Sequence, residues 1–289
     1  MPDNPRESRN HSDLGRNNRR LVLSEVVLKG PLPRREIARN TGLTMAAVSR
    51  ISRDLIDAGL VFERPDAGDR SPSPGPGRKL IDLDLKADAG YVLGVGLNVF
   101  SQVVTLADLK NRCLARKELK LAKLSDPDAM IERIVAEAEA LIAATVPDRR
   151  RLLGASVALT GAVDPETGIV RSSHYLGWGE VALGPRLSDA LGLDLRVESM
   201  PMALTLAEAR FGIAREFHDL LTIICSVGTG AGLLMDGKIV RGHDFTAGMI
   251  GDIALPGHDG ATLDIVAGGV GVLQRLFPQL DIPATTAND

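Results

Sequence analysis

Two short helical patterns separated by a glycine turn lie near the N-terminus, an arrangement that few small folds use. Leu32–Asn40 predicts a short helix, and Thr41-Gly42-Leu43 predicts a tight turn. Thr44 then has the position of an N-cap, and Gly59 has the position of a residue just beyond a helix end. Between them, apolar residues recur at helical spacing, at Val48, Ile51, Leu55 and Ile56. The pattern predicts a helix-turn-helix.

The flanking segments extend this layout. Arg20–Leu28 is apolar, and its pattern fits either a helix or a strand. Residues 60–63 and 80–85 alternate like two strands, and a segment rich in Pro, Gly and Ser, Arg64–Lys79, joins them. The order predicts an α+β winged helix-turn-helix domain over residues 18–86. The competing interpretation is a basic, solvated helix in a small packing domain.

Charge is distributed unevenly along the chain. Residues 1–80 contain 15 basic and 10 acidic side chains, a net charge of +5, whereas the remainder has 19 basic and 27 acidic side chains, a net charge of −8. A basic head on an acidic body predicts that the head contacts a polyanion. Residues 1–20 are polar throughout and contain five arginines against three acidic side chains, which predicts a disordered basic arm over residues 1–17.

An exposed helix of this kind fits the major groove of B-DNA, so the hypothesis for the first domain is binding to a double-stranded DNA operator. Arginine reaches phosphates and guanine, and the hydroxyls of Ser and Thr bond to phosphates or base edges. The candidate contact residues on the two helices and the wing are Arg34, Arg35, Thr44, Met45, Ala46, Ser49, Arg50, Arg53, Arg70 and Arg78.

Several classes of protein are excluded at this point. The two cysteines, Cys113 and Cys225, lie far apart, which excludes a disulfide framework and a cysteine zinc cluster. Free thiols fit a reducing cytoplasm. No apolar run approaches the roughly 20 residues that span a bilayer, and the N-terminus lacks the apolar segment of a signal peptide. We therefore expect a cytoplasmic protein with no membrane partner.

The pattern changes after residue 86. Three apolar strands are followed by alternating helices and strands, which predicts an α/β domain over residues 87–289. The predicted strands are 91–97, 101–108, 113–121, 153–159, 193–197, 220–226, 232–235 and 238–241, and the predicted helices are 126–146, 183–191, 201–211 and 262–277.

A series of short motifs, most of them containing glycine, follows in the second domain, and their order along the chain identifies a family. They are Gly154–Gly168 (GASVALTGAVDPETG), Gly177-Trp178, Leu191-Gly192-Leu193, Val197-Glu198, Ser226–Lys238 (SVGTGAGLLMDGK) and Ala247–Asp252 (AGMIGD). Together they resemble the ROK family of repressors and sugar kinases, over residues 18–277. The resemblance implies an actin-like, ribonuclease H-like body. A winged helix ahead of that body implies the repressor branch, whose best-known members sense sugars. A family body normally continues well past these motifs, so we expect a truncated second lobe here.

Two acidic positions on which the family's kinases depend are missing. The general base of the family corresponds to Met200, which accepts no proton, and the acid of the first phosphate motif corresponds to Gly96. The resemblance therefore implies a regulator without phosphoryl transfer. The alternatives are an ATP-dependent sugar kinase carrying a DNA-binding head, and a regulator without any effector. The family's altered sugar-contacting positions give the candidate effector-binding residues Tyr175, Ser199, Met200, Met249, Asp252 and Asp264.

No metal and no cofactor are expected. Residues 255–262 lack the zinc-binding cysteines of the family, and a metal held by His258 with Asp252 and Asp259 is less favoured than a solvated loop. The glycines at 228, 230 and 232 lack dinucleotide-loop spacing, and we interpret them as a tight turn between strands rather than a phosphate loop. Two-fold symmetric proteins bind palindromic DNA, so we expect a homo-oligomer, either a dimer or a tetramer. A small-molecule effector is a further expected partner.

Overall fold

The computed structural model describes residues 11–65, 81–120 and 123–279, with side chains from residue 14 onwards. The chain divides into two compact units. The first comprises the residues up to Gly90 together with Asp108–Arg112, and the second comprises Tyr91–Ala107 and the residues from Cys113 onwards.

The described residues of the first unit form three α-helices and a three-stranded antiparallel sheet. Its elements are α1 (His11–Lys29), β1 (Leu32–Pro33), α2 (Arg34–Thr41), α3 (Met45–Asp57), β2 (Val61–Pro65) and β3 (Ile81–Leu85). The strands lie in the order β1-β3-β2. The core consists of apolar side chains from every element: Val22, Val26, Leu32, Ile37, Val48, Ile51, Leu55, Val61, Leu83 and Leu85.

The first helix corrects one prediction and settles another. The segment 20–28, which fitted a helix or a strand, is helical. The prediction of a disordered arm over residues 1–17 is wrong for residues 11–17, because α1 begins at His11; residues 1–10 lie outside the described part. Burial of Val22 and Val26 anchors the helix. Once a helix is nucleated, each further residue adds a backbone hydrogen bond, so it extends into a polar segment.

Local signals at both ends of α3 act as predicted. The Thr44 hydroxyl accepts a hydrogen bond from the Ala47 N–H at 3.2 Å. At the other end, Gly59 adopts a φ of 71°, which an L side chain rarely adopts. The Leu60 N–H then donates to the Leu55 carbonyl at 3.0 Å, which closes the helix. The short helix before the turn begins at Arg34 rather than at residue 32, because Leu32–Pro33 pairs with β3 instead.

The second unit contains a five-stranded sheet, a three-stranded sheet and a small hairpin. Strands β4 (Tyr91–Leu97), β5 (Gln102–Asp108), β6 (Cys113–Glu118), β7 (Leu152–Leu159) and β10 (Leu195–Ser199) form the first sheet in the order β10-β7-β4-β5-β6. Strand β7 pairs in parallel with both β4 and β10. The hairpin is β8 (Ala162–Asp164) with β9 (Ile169–Ser172), and the second sheet is β11 (Leu220–Cys225), β12 (Thr229–Met235) and β13 (Lys238–Ile239).

The α-helices in the part of this unit that the structure describes are α4 (Pro127–Thr145), α5 (Leu183–Leu191), α6 (Met200–Phe211), α7 (Leu263–Ala267) and α8 (Gly269–Leu276). Helices α4 and α5 bury apolar side chains in the core shared with the five-stranded sheet, which confirms the α/β organisation. The sequence analysis missed the β8–β9 hairpin, whose first strand lies inside the motif Gly154–Gly168 and whose second strand follows it. No described helix is long and apolar enough to cross a membrane.

The single helix predicted over residues 262–277 is wrong. Two helices occupy this stretch, and Gly268 between them has an extended backbone with ψ of 151°. The N–H groups of Gly269 and Val270 donate to the carbonyls of Ser226 and Val227, at 2.8 and 3.0 Å. Tertiary hydrogen bonds to the β11–β12 turn therefore replace the helical bonds that a continuous helix would make at this point.

Candidate functional site

The exposed face of α3 carries most of the residues predicted to contact DNA. Four side chains of this helix, Val48, Ile51, Ser52 and Leu55, are buried. The remaining predicted set is exposed, apart from the partly buried Ser49: Thr44, Met45, Ala46, Arg50 and Arg53. Capping and core packing thus fix the helix while its polar face stays accessible.

The other predicted contact residues lie elsewhere. Arg34, at the start of α2, forms an ion pair with Glu63 of β2 at 2.7 Å, and its neighbour Arg35 is exposed. Arg70 and Arg78 lie outside the described residues. The structure also places two arginines of α1, Arg16 and Arg19, beside Arg50. Sequence reasoning missed Arg16 because it assigned residues 1–17 to a disordered arm, and Arg19 because the predicted apolar segment began only at Arg20; their three-residue spacing was the available signal.

A cavity of about 740 Å³ lies in the second unit. All six predicted effector-binding residues line it: Tyr175, Ser199, Met200, Met249, Asp252 and Asp264. These residues come from segments far apart in sequence, and the start of α6, the β11–β12 turn and the start of α7 bring them together. The volume lies within the range of small-molecule pockets.

Asp264 forms the fixed polar centre of the cavity. Its two carboxylate oxygens accept hydrogen bonds from the Tyr175 hydroxyl and from the Thr229 N–H. A Cβ at Gly228 would overlap Tyr175 and Asp264, and one at Gly251 would overlap Asp264. Glycine is required at these two positions because the backbone approaches the polar centre so closely.

Burial raises the pKa of the Tyr175 hydroxyl above its usual range. The hydrogen bond to Asp264 and the negative charges of Asp264 and Asp252 raise it further. Tyr175 is therefore protonated at neutral pH and acts as a hydrogen-bond donor. Its ring is held in one position by a carboxylate that also binds the backbone.

The cavity lining is negatively charged and partly apolar. It includes two carboxylates, Asp252 and Asp264, and no lysine or arginine, and every lining residue lies in the described part of the chain. The Thr229 hydroxyl is buried without a hydrogen-bond partner among the described residues. Apolar side chains complete the wall, among them Met200, Leu204, Ile224, Phe245, Met249 and Ile265. Such a lining accepts hydrogen bonds and contacts apolar surface, and it disfavours anions.

The connection between β11 and β12 is a tight hairpin turn, as predicted, but of the three glycines only Gly228 lies in it; Gly230 and Gly232 lie within β12. Cys225 pairs with Thr229, and the Ser226 N–H donates to the Gly228 carbonyl at 2.9 Å within the turn. Gly232 packs against the first turn of α6, where a Cβ would overlap the Thr205 side chain. These glycines permit close packing of a sheet on a helix.

Among the described residues, no group of three or more His, Cys, Asp or Glu side chains is arranged to hold a metal ion. His258, Asp259 and Asp252 are all exposed. The expectation that the protein binds no metal stays a prediction.

Comparisons with known proteins identify several relatives. The DNA-binding transcriptional repressor Mlc of Escherichia coli K12 is 27% identical over 215 residues, covering 73% of this chain and 51% of Mlc. The dual regulator NagC of the same organism is 32% identical over 234 residues, covering 78% of this chain and 54% of NagC. A putative xylose repressor of Caldicellulosiruptor is 24% identical, covering 92% of this chain and 65% of that protein. The chain thus spans about half to two thirds of the length of these curated relatives.

Solved structures give the same picture of the fold. A ROK family transcriptional regulator, described as a homologue of the Escherichia coli MLC protein, matches with a TM-score of 0.72 and 25% identity, covering 92% of this chain and 68% of that one. A ROK family glucokinase from Streptomyces griseus matches with a TM-score of 0.53 and 22% identity, covering 66% of this chain and 63% of that one. The sugar-kinase-type, actin-like body is thereby confirmed.

The family assignment rests on the second unit, which contains the cavity. The model of the ROK family matches residues 93–264, more than half of the sequence and nearly all of the cavity lining. The chain belongs to the ROK family.

Proposed function

We propose that this chain is a DNA-binding transcriptional regulator, a repressor of carbohydrate-related genes, with a catalytically inactive body that binds an effector and mediates oligomerisation. Residues 18–86 are its winged helix-turn-helix domain. The observation that carries the proposal is the exposed face of α3, capped and packed so that Arg50 and Arg53 face solvent. The printed names of three relatives, Mlc, NagC and the putative xylose repressor, support it.

The order of elements in the first unit supports DNA binding. Helix α2, a turn at Gly42 and helix α3 precede the antiparallel pair β2–β3. From residue 66 onwards, the segment predicted to join these strands, Arg64–Lys79, lies outside the described residues. A helix held at its base by a buried core presents its N-terminal half to the major groove. Arg50 and Arg53 then reach phosphates or guanine edges, and Thr44 and Ser49 bond to phosphates or bases.

The body lacks the residues for phosphoryl transfer by the family's mechanism. Met200 occupies the position of the general base and lines the cavity, where its thioether takes no proton from a substrate hydroxyl. Gly96 of β4 occupies the position of the acid that faces magnesium in the kinases. Because these losses affect separate steps of one reaction, we propose that the body binds a ligand without converting it.

The cavity around Asp264 is the proposed effector site, and the six predicted residues are its proposed contacts. Binding there would transmit a signal only if the effector prefers one conformation of the protein. A homo-oligomer, a dimer or a tetramer, would place two α3 helices on a palindromic operator. We place the protein in the cytoplasm, where such an operator is accessible.

The test is selection of bound duplexes from random DNA with the full chain, followed by titration of the selected duplex at several salt concentrations. Arg50→Ala with Arg53→Ala should weaken binding and reduce the salt dependence, since each lost phosphate contact lowers the slope by about 0.9. Arg116→Ala with Lys117→Ala removes the same charge from exposed residues of β6 and is the matched control. An unchanged affinity and slope in the α3 variant contradicts the proposal.

The alternative function, a sugar kinase with a DNA-binding head, has its own test. Sugar-dependent ADP release from the wild-type protein, measured with a panel of hexoses and N-acetylated amino sugars, would overturn the assignment of an inactive body. We expect no turnover, and none in Met200→Asp, which restores a proton acceptor but not the missing acid at Gly96.

A further inference from the structure

Helix α1 extends along α3 further than its buried residues require. Val22 and Val26 lie in the core, whereas the two turns that precede them are exposed and basic. These turns and α3 enclose a hollow of about 340 Å³, lined by Gly15, Arg16, Asn18, Arg19, Arg50, Ile51 and Asp54.

This hollow concentrates positive charge. Three arginines, Arg16, Arg19 and Arg50, line it together with one acidic residue, Asp54. Arg19 binds Asp54 at 3.1 Å, with 56% of the arginine side chain and 44% of the aspartate exposed. The lining therefore has a net charge of +2. A surface with an excess of basic side chains attracts a polyanion.

An exposed ion pair gives little stability, because water screens it and two long side chains lose freedom. The pair between Arg19 and Asp54 therefore adds little to the stability of the first unit. It does fix a position: it holds Arg19 against α3, in the hollow that Arg16 and the proposed DNA-contacting residue Arg50 also line.

We infer that Arg16 and Arg19 bind the phosphate backbone of DNA at the edge of the major groove, so that α1 is a second DNA-contacting element beside α3. The inference rests on the proposed function, since α3 must lie in the groove for α1 to face a phosphate strand. Backbone contacts of this kind fix the register of a protein on the duplex and carry no sequence information.

The experiment compares the full chain with Arg16→Gln, with the double variant Arg16→Gln/Arg19→Gln and with Arg16→Lys. Fluorescence anisotropy measures affinity for a labelled duplex of random sequence and for the duplex selected by the protein, between about 50 and 200 mM salt. Arg39→Gln is the matched control, since Arg39 is an exposed arginine of α2 paired with Glu36 at 3.7 Å.

We expect Arg16→Gln to reduce the salt slope by about 0.9, which is about a threefold smaller loss of affinity over that salt range. Both duplexes should lose affinity by the same factor, Arg16→Lys should keep most of the slope, and Arg39→Gln should keep all of it. A smaller folded fraction leaves the slope unchanged provided that it is the same at every salt concentration, which circular dichroism at each salt concentration checks. Arg16→Gln leaves the Arg19–Asp54 pair in place and decides the matter if the double variant fails to fold.

An unchanged slope in Arg16→Gln, with a reduced slope in Arg50→Ala/Arg53→Ala, overturns the inference and leaves the proposed function standing. Unchanged slopes in both variants overturn the proposed function as well. A loss of affinity for the selected duplex alone would also contradict the inference, because it would indicate base recognition instead of backbone binding.

Discussion

Asp84 in β3 is a buried carboxylate between two cations, and replacing it tests how the first unit holds its β2–β3 pair. Only 4% of the Asp84 side chain is exposed. Its oxygens lie 2.8 Å from Lys110 Nζ and 3.3 Å from Arg64 Nη1, and Oδ1 also accepts the Leu85 N–H at 2.8 Å. The Asp84→Asn substitution keeps the shape of the side chain and removes its charge.

We expect this substitution to lower the free energy of unfolding of the first unit by about 1.5–3 kcal/mol, the worth of hydrogen bonds to charged groups. The loss should be nearer the lower bound, because Lys110 and Arg64 remain 35% and 39% exposed and water can solvate them. Removal of one partner from a fully buried pair costs more, about 3–5 kcal/mol. Hydrogen exchange of peptides from the first unit, with and without urea, measures the change separately from the second unit.

The same substitution predicts a pH dependence. Burial tends to raise the pKa of Asp84, but Lys110, Arg64 and the Leu85 N–H outweigh it and hold the pKa below its ordinary value of 3.8. The carboxylate therefore contributes its full stability above the unfolded pKa and loses it as the pH falls through the folded value. The difference between wild type and Asp84→Asn should be constant near neutrality and disappear at strongly acidic pH. A variant as stable as wild type near pH 7, or a difference that grows on acidification, refutes the reasoning.

Four further outcomes are expected. Thr44→Ala removes the N-cap of α3 and should cost about 1 kcal/mol in the first unit; equal melting temperatures would contradict this. The ultraviolet titration of tyrosinate should show one group ionising well above about pH 10, absent from Tyr175→Phe, because burial and Asp264 raise that pKa; a normal titration would disprove the contact. Gly228→Ala should lower the melting temperature, because its Cβ would overlap Tyr175 and Asp264, whereas Gly179→Ala, whose Cβ meets no atom within 4 Å, should not; equal melting curves would argue against the close approach of Gly228 to Asp264. Elemental analysis of chelator-free protein should find no stoichiometric zinc, and its presence would contradict the assignment.

The sequence alone determined the features that depend on neighbouring residues. The caps of α3 at Thr44 and Gly59 follow from side-chain chemistry and backbone freedom within one helical turn. The helix over Pro127–Thr145 follows from the periodicity of its apolar residues and from Asp126, whose side chain caps the first turn. That Met200 accepts no proton is also known from the sequence alone. The fold determines only where this side chain lies, which is in the cavity wall.

Tertiary contacts decided the rest. Residues 11–17 have a polar composition that predicts disorder, yet they are helical because α1 is anchored by Val22 and Val26 further along. The apolar periodicity of residues 262–277 predicts one helix, yet the β11–β12 turn takes the backbone hydrogen bonds at Gly269 and ends it.

The cavity shows the same division. Tyr175 and Asp264 are 89 residues apart in sequence, and no local pattern predicts that they form a hydrogen bond. The sequence supplied both residues as candidates, and packing of the β11–β12 turn against α7 placed them together. Local chemistry therefore determines which elements form and what each side chain can do, whereas the contacts between distant segments decide where helices end and which side chains share a site.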